Sequence, residues 1–288
     1  MNSAIKHYDV IINGGGMVGA TLACLLAKSG RKVAVIEASK IKEFSPDAPY
    51  DLRVSAISRA SQNAFIEIGA WDAMQEMRAS PYEIMDVWDA EGDGKVRFDA
   101  AELGEPDLGH IIENNVIQIA VTQALKSYSS AELYQPDKLQ EFIVDDKQVI
   151  VTLESGTQLS ANLLVGADGA NSKVRSLAGI DIEIDDYAQS GLVAVVSTEK
   201  HHEYTAWQRF QKTGPLAFLP LSDGSCSIVW TLPSDRADYY LALGKNDFKA
   251  ALAEALDHKL GKITKVGNRA AFPLRGSQAK PYVLERIA

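Results

Sequence analysis

The stretch Tyr8-Asp-Val-Ile-Ile-Asn13-Gly14-Gly-Gly16-Met-Val-Gly19 decides the fold of this 288-residue chain. It runs from an apolar, strand-like segment through closely spaced glycines into a helical pattern over residues 20–29. A second apolar segment, Val33-Ala-Val-Ile36, follows and ends in Glu37. This order of strand, glycine turn, helix and strand predicts a βαβ unit.

The spacing of the glycines is that of a dinucleotide-binding turn. Gly14 allows a sharp turn out of the strand, Gly16 lets the backbone approach a pyrophosphate, and Gly19 lets the helix pack closely on the sheet. Phosphates would bind at the helix N-terminus, where unpaired N–H groups and the positive dipole end point at them. Glu37 ends the second strand, where a carboxylate can accept both ribose hydroxyls and would repel a 2′-phosphate. The pattern therefore predicts FAD or NAD as the ligand.

Composition narrows the class of protein. The length suggests about two domains, and 29 Lys and Arg against 38 Asp and Glu give a net charge of −9, which argues against nucleic acid as a partner. Two cysteines and five histidines without ligand spacing give no reason to expect a metal site. Because no apolar signal segment precedes Tyr8, we expect a cytoplasmic protein with reduced cysteines.

The rest of the chain first repeats the pattern of strand, turn and helix and then becomes rich in strand-like segments. Residues 38–53 predict a long loop, and residues 163–167 predict a strand that leads into Asp168-Gly169-Ala-Asn-Ser172 and a short helix capped by Ser172. Tyr82 to Trp88 and Lys95 to Phe98 predict a hairpin. After Gly179, strand-like segments dominate at 191–198, 204–211, 216–221, 225–232 and 262–272, with one helix at 247–256.

Three ordered motifs carry a resemblance to a known family. They are the N-terminal unit, Asp51-Leu-Arg-Val-Ser-Ala-Ile-Ser58, and Gly166-Ala-Asp-Gly-Ala-Asn-Ser172-Lys-Val-Arg175. With them the chain resembles the FAD-dependent aromatic hydroxylases of the para-hydroxybenzoate hydroxylase fold, and among these the ubiquinone-biosynthesis hydroxylases, which act on prenylated phenols and quinols. The likeness continues through residues 109–114, 217–221 and 272–274.

The resemblance implies an α/β fold, in which a Rossmann-like FAD-binding domain carries an inserted β-rich (α+β) substrate domain. The FAD-binding domain is expected at 1–76, 108–180 and 276–288, and the substrate domain at 77–107 and 181–275. In this family another strand and a Gly-Asp motif that binds the flavin follow the part that matches Tyr282 to Ala288. We therefore expect a C-terminally truncated chain that lacks the flavin half of the FAD site.

The resemblance also assigns roles to individual residues. Cofactor binding is implied for Gly14, Gly16, Gly19, Glu37, Arg53, Asp168 and Gly169, and less directly for Asn114, Gln118 and Arg175. The alternative for Arg53 is a surface ion pair, and for Asp168 a structural role in its turn. Asn114 and Gln118 are equally typical of a helix start. Substrate contact is expected from Phe218, Leu219 and Pro220, although aromatic strand residues are more often core.

No catalytic side chain is expected, because the flavin itself carries the chemistry. The implied activity is FAD-dependent hydroxylation of a prenylated aromatic ring with NAD(P)H and O₂. The alternatives are a non-catalytic assembly subunit of a quinone-biosynthesis complex and an NAD-dependent dehydrogenase. A prenylated substrate would also bring the protein to the inner face of the membrane as a peripheral partner.

Overall fold

The computed structural model describes residues 5–288 and builds them mainly into three β-sheets. The strands are β1 (Lys6–Asn13), β2 (Val33–Ile36), β3 (Val54–Ser58), β4 (Ala79–Tyr82), β5 (Ile84–Asp89), β6 (Lys95–Asp99), β7 (Gly109–Glu113), β8 (Ala131–Tyr134), β9 (Leu139–Val144), β10 (Val149–Leu153), β11 (Gln158–Gly166), β12 (Asp181–Thr198), β13 (Thr205–Gln211), β14 (Gly214–Pro220), β15 (Cys226–Pro233) and β16 (Ile263–Lys280). The helices are α1 (Met17–Lys28), α2 (Arg59–Glu67), α3 (Trp71–Arg78), α4 (Asn114–Lys126), α5 (Lys173–Leu177), α6 (Ser234–Ala242) and α7 (Lys245–Ala255). A short 3₁₀ helix spans Ala100–Leu103.

The first sheet has the strand order β8-β2-β1-β11-β10-β9 and confirms the predicted βαβ unit. Its first four strands are parallel, whereas β10 and β9 run antiparallel to their neighbours. The apolar run of β1 is buried on both faces, with Ile11 and Ile12 fully inaccessible, as expected for a parallel strand covered on both sides. Helices α1 and α4 pack together on one face, where Ala23 and Cys24 meet Val116 and Ala120.

The strand register brings three chain segments to one edge of this sheet. Asn13 pairs with Ile36 of β2 on one side and with Gly166 of β11 on the other. The three parallel strands therefore end together, and the glycine turn, Glu37 and the turn at Asp168 all emerge at their carboxyl ends. In open α/β sheets this is the edge at which ligands bind.

The second sheet is the predicted β-rich part, with the order β16-β12-β15-β14-β13-β5-β6. Neighbours are antiparallel except β13 and β5. Helices α6 and α7 cover one face, with Phe248 and Leu252 of α7 packed against Trp230. Two features differ from prediction: α6 was not expected, and β12 and β16 extend well beyond 191–198 and 262–272.

The third sheet, of order β3-β7-β4, accounts for another difference. The predicted strand from Tyr82 to Trp88 is two strands, because β4 ends at Tyr82 and pairs with β7, whereas β5 begins at Ile84 and forms the predicted hairpin with β6. Residues 38–53 form the predicted loop. Among residues 5–288, no helix is both long and apolar enough to span a bilayer.

Candidate functional site

The glycine turn is closely packed on one side and open on the other. Gly14 has a φ of +112°, and a Cβ there would lie 2.3 Å from the Ala167 carbonyl oxygen. A Cβ on Gly19 would lie 2.0 Å from the Gly14 carbonyl oxygen, so both positions require glycine. At Gly16, which caps the N-terminus of α1, no atom lies within 4 Å of the Cβ position. The helix N-terminus therefore has open space for a phosphate.

Glu37 follows directly after β2, and its side chain lies next to the glycine turn. Its Oε2 accepts a hydrogen bond from the Gly15 N–H at 2.8 Å, and its Oε1 accepts one from the Ser39 N–H at 2.9 Å. These two bonds fix the carboxylate beside the turn. A carboxylate oxygen can accept more than one hydrogen bond, so ribose hydroxyls can still be recognised here.

Asp168 organises the second turn at this edge. Its Oδ2 accepts from the Asn13 amide at 2.7 Å and from the backbone N–H groups of Lys173 at 2.7 Å and Val174 at 3.3 Å. Ser172 caps α5 as predicted, since its hydroxyl accepts from the Arg175 N–H at 3.0 Å. Asp168 Oδ1 is buried and has no hydrogen-bond partner among the described residues. One oxygen of this carboxylate thus holds the turn, and the other is enclosed by the protein.

Sequence reasoning missed Asn13. The available signal was a polar side chain at the end of a fully apolar strand, directly before the glycine turn, and the residue is only 6% exposed. Its amide links the two turns through Asp168. Asn13 is therefore part of the candidate site.

A cleft of about 620 Å³ lies between the two turns, and we call it the glycine-turn cleft. Gly14, Gly16, Glu37, Asp168 and Gly169 all line it, so the structure brings these predicted residues together. Lys138 and Lys173 also line it, together with the carboxylates of Asp137 and Glu154, and Lys138 lies 3.7 Å from Glu154.

A second cleft, of about 600 Å³, is lined by residues of the loop after β2 and the start of α4 and is here called the Arg53 cleft. It brings together Arg53, Asn114 and Gln118. The Gln118 amide lies 3.5 Å from the Gly15 carbonyl oxygen, and Asn114 Oδ1 accepts from the Ser55 hydroxyl at 2.7 Å. Within residues 5–288 the Arg53 guanidinium has no ion-pair partner. A free guanidinium beside the glycine turn suits a diphosphate.

A third space, of about 730 Å³, separates residues 46–52 from the seven-stranded sheet, and we call it the intersheet cavity. One wall comes from the loop residues and Arg78, and the other from strands β12 and β16 and the turn before β15. Its lining is mixed in polarity, and includes Tyr50, Leu52, Val195, Ser197, Ser222 and Lys265. A cavity of this size accommodates an aromatic ring with polar substituents.

Five predicted site residues do not line these three spaces: Gly19, which packs against the Gly14 carbonyl, and Arg175, Phe218, Leu219 and Pro220. Arg175 donates to the Ala170 carbonyl at 2.8 Å and so stabilises the turn in which it lies. Phe218 is fully buried in the core of the seven-stranded sheet, Pro220 is buried, and Leu219 is half-buried against Tyr82 and its neighbours. A role for Arg175 in cofactor binding and substrate contact by residues 218–220 stay predictions.

The geometry at the sheet edge fits the adenosine and diphosphate part of FAD. Open space at Gly16 and a fixed carboxylate at Glu37 are placed as such a ligand requires. No group of three or more His, Cys, Asp or Glu residues in the described part of the chain could hold a metal ion.

Comparison with known proteins agrees with this geometry. The FAD binding domain family model matches residues 7–288. The chain is 39% identical over 280 residues to the 3-demethoxyubiquinol 3-hydroxylase of Escherichia coli, covering 97% of this chain and 71% of the relative. It is 38% identical over 267 residues to the ubiquinone biosynthesis monooxygenase COQ6 of Danio rerio, covering 86% of this chain and 54% of the relative.

Solved structures show the same fold. The crystal structure of PqsL, a probable FAD-dependent monooxygenase from Pseudomonas aeruginosa, superposes with a TM-score of 0.79 at 20% identity, covering 98% of this chain and 78% of that one. The glycine turn, the turn at Asp168 and these matches lead to one assignment. The chain belongs to the FAD-binding domain family and, within it, to the ubiquinone-biosynthesis hydroxylases.

Proposed function

We propose that this chain binds FAD along the sheet edge and hydroxylates a prenylated phenol or quinol ring, with NAD(P)H as reductant and O₂ as oxidant. The observation that carries the proposal is the convergence of the glycine turn, Glu37 and Asp168 at the carboxyl ends of three adjacent parallel strands. The 3-demethoxyubiquinol 3-hydroxylase relative supports the class of substrate.

We assign different parts of the cofactor to residues of the two clefts. Glu37 accepts the adenosine ribose hydroxyls, the α1 N-terminus at Gly16 receives the diphosphate, and Arg53 neutralises its charge from the other cleft. Asp168 supports the same region by holding its turn through hydrogen bonds from Asn13, Lys173 and Val174. Asn114 and Gln118 line the path from Arg53 towards the glycine turn.

Bound FAD would supply the redox chemistry and the activation of oxygen that side chains cannot. The contribution of the chain is to hold the ring of the substrate, exclude water and hydrogen-bond the phenol oxygen. We place the ring in the intersheet cavity, where Ser197, Ser222 and Lys265 offer hydrogen bonds and a positive charge to an oxygen substituent. Phe218 and its neighbours on β14 then support this wall from the core.

The domain division follows the sheets. The six- and three-stranded sheets derive almost wholly from 1–76 and 108–180, which we assign with 276–288 to cofactor binding. The seven-stranded sheet derives from 77–107 and 181–275 together with the last residues of β16, and we assign it to the substrate. A prenylated substrate is poorly soluble in water, so we propose a cytoplasmic protein that contacts the membrane face or a quinone-biosynthesis complex to collect it.

The test is incorporation of labelled oxygen. The natural full-length protein that carries this sequence is incubated with FAD, NADH or NADPH, ¹⁸O₂ and a demethoxyubiquinol analogue with a short prenyl tail, and the product is analysed by mass spectrometry. We expect one ¹⁸O atom in the ring hydroxyl, and its loss in Arg53→Met. Stoichiometric FAD and bound analogue without any labelled product would contradict the enzymatic proposal and favour a binding or assembly role.

A further inference from the structure

Arg78, the last residue of α3, has a set of contacts that the cofactor and substrate assignments do not use. Its side chain is only 12% exposed, and its Nη2 donates to the carbonyl oxygens of Ser45 at 3.4 Å, Ala48 at 2.7 Å and Pro46. All three acceptors lie in the loop between β2 and β3. Through this single guanidinium, α3 holds a loop distant in sequence.

Two aromatic rings of the same loop enclose the guanidinium. Its carbon lies 5.2 Å from the centre of the Phe44 ring and 4.5 Å from the centre of the Tyr50 ring. Both distances are within the range of cation–π attraction. Residues 44–51, here called the clamp segment, therefore fold around Arg78 from both ends.

Glu113 completes the arrangement from the opposite side. Its carboxylate is 5% exposed and lies 3.5 Å from Arg78 Nη1, while its Oε1 accepts from the Asp51 N–H at 2.7 Å. Burial raises the pKa of Glu113, and the Asp51 N–H and Arg78 oppose that rise by stabilising the carboxylate. Glu113 also directly precedes Asn114 at the start of α4, so the clamp segment is joined to the helix that lines the Arg53 cleft.

The position of the clamp segment gives these contacts a functional meaning. Arg78, Ala48 and Pro49 line both the Arg53 cleft and the intersheet cavity, so the segment is the wall between the two. The Tyr50 hydroxyl lies 2.6 Å from the Ser222 hydroxyl and links this wall to the seven-stranded sheet. Arg53 follows the segment by two residues, so the path of the segment determines where its guanidinium lies.

We propose that Arg78 is a positioning residue, which holds residues 44–51 as the wall between the Arg53 cleft and the intersheet cavity and thereby places Arg53 for the cofactor. A planar guanidinium is required, because it alone can bond several carbonyls and a carboxylate in its plane while its two faces meet aromatic rings. The part of this inference that concerns the placement of Arg53 for the cofactor rests on the proposed function. The part that concerns the position of the loop is independent of it.

The test compares backbone hydrogen exchange and FAD affinity in matched variants of the full chain. Arg78→Met alone leaves the buried Glu113 charge unpaired and risks misfolding, so the main variant is Arg78→Met combined with Glu113→Gln, which removes both charges. Arg78→Lys keeps the charge without the planar fork. Arg236→Met is the control, because Arg236 also lies over two tyrosine rings, those of Tyr239 and Tyr240 on α6.

In the double variant we expect amide exchange in residues 44–52 to rise at least tenfold, while exchange in residues 116–125 of α4 stays unchanged. The dissociation constant for FAD, followed by quenching of flavin fluorescence, should rise at least tenfold. Arg78→Lys should show the same raised amide exchange in residues 44–52 as the double variant. Arg236→Met should match the wild type in both measurements.

Three results would overturn the proposal: unchanged exchange in residues 44–52, an equal rise in α4 that indicates general loosening, or raised exchange with unchanged FAD affinity. Wild-type exchange in Arg78→Lys would show that a point charge suffices and would overturn the role of the guanidinium fork. If the wild-type chain binds no FAD, the proposed function fails, and the exchange measurement still decides whether Arg78 holds the loop.

Discussion

At the scale of single residues, the glycine turn separates what the fold requires from what binding requires. Gly14 and Gly19 have backbone atoms where a side chain would begin, whereas Gly16 has open space there. The first two glycines therefore serve the packing of strand, turn and helix. Gly16 leaves open space for the proposed ligand.

This difference predicts opposite behaviour of two alanine variants. Gly16→Ala has an ordinary backbone conformation, so it should cost no more than about 1 kcal/mol of stability as a poorer N-cap, yet raise the FAD dissociation constant at least tenfold. Gly19→Ala should lower the free energy of unfolding by about 1–3 kcal/mol or more through overpacking. Denaturant unfolding and flavin fluorescence titration measure the two quantities. Equal FAD affinity in Gly16→Ala and the wild type would contradict the placement of the diphosphate.

His202 is a second residue whose chemistry the structure defines. It is 1% exposed, its Nε2 donates to the Leu221 carbonyl at 3.1 Å, and its Nδ1 accepts from the Tyr204 N–H at 3.1 Å. Only the neutral ring with the proton on Nε2 makes both bonds. Burial lowers the pKa of His202 below its usual value, and the neighbouring His201 lowers it further.

The consequence is a loss of stability in mild acid. Because the folded-state pKa lies below the unfolded one, the contribution of neutral His202 is fully present above the usual histidine pKa and is lost as pH falls through the lowered value. Urea unfolding at about pH 7.5 and about pH 5.5 should show a lower midpoint in acid, with a smaller difference in His202→Gln. The exposed His7 provides the control, and His7→Gln should keep the wild-type difference. An unaltered pH dependence in His202→Gln would contradict this account.

At the scale of elements, α7 packs on the seven-stranded sheet through three buried residues, of which Phe248 is the largest. Phe248 is fully buried, and the Arg269 guanidinium of β16 lies 4.6 Å from the centre of its ring. Phe248→Ala should therefore destabilise the protein by about 3–5 kcal/mol. Tyr239→Ala on α6, where the tyrosine is 54% exposed, should change stability by no more than about 0.5 kcal/mol. Similar unfolding midpoints for both variants would show that α7 does not depend on this contact.

The sequence predicted the elements whose signals are local. Strands β1 and β2, helix α1 and the cap at Ser172 follow from apolar periodicity, glycines and capping residues within a few positions. Helix α6 gave no such signal, because Ala237 is its one buried residue. The outer halves of β12 and β16 pair with each other but expose apolar residues such as Ile184 and Tyr187, so they lack the alternation that marks a strand.

The residues of the candidate site likewise include some with a local sequence signal and some without one. Gly14, Gly16, Gly19 and Glu37 lie within one short stretch of chain, and their spacing carries the prediction. Arg78 acquires its position from tertiary contacts with Phe44, Tyr50 and Glu113, which belong to two other parts of the sequence. No local pattern distinguishes such an arginine from a surface one.

At the scale of the whole molecule, the chain combines a mainly parallel sheet with a mainly antiparallel sheet. The mainly parallel sheet has its strand ends and a helix N-terminus at one edge, and the mainly antiparallel sheet forms one wall of the intersheet cavity. The loop between β2 and β3 belongs to both, since it lines the Arg53 cleft and the intersheet cavity. In the proposed function, the cofactor lies on one side of this loop and the substrate on the other.

The central claim is that the glycine turn, Glu37 and Asp168 form one site for the adenosine diphosphate part of FAD. Isothermal titration of FAD into the purified chain, repeated in the presence of ADP, tests it most directly. The account predicts one FAD per chain, competition by ADP, and a weaker affinity for both ligands in Glu37→Ala. Absence of FAD and ADP binding in a folded wild-type chain, or FAD binding that ADP does not displace, would contradict it.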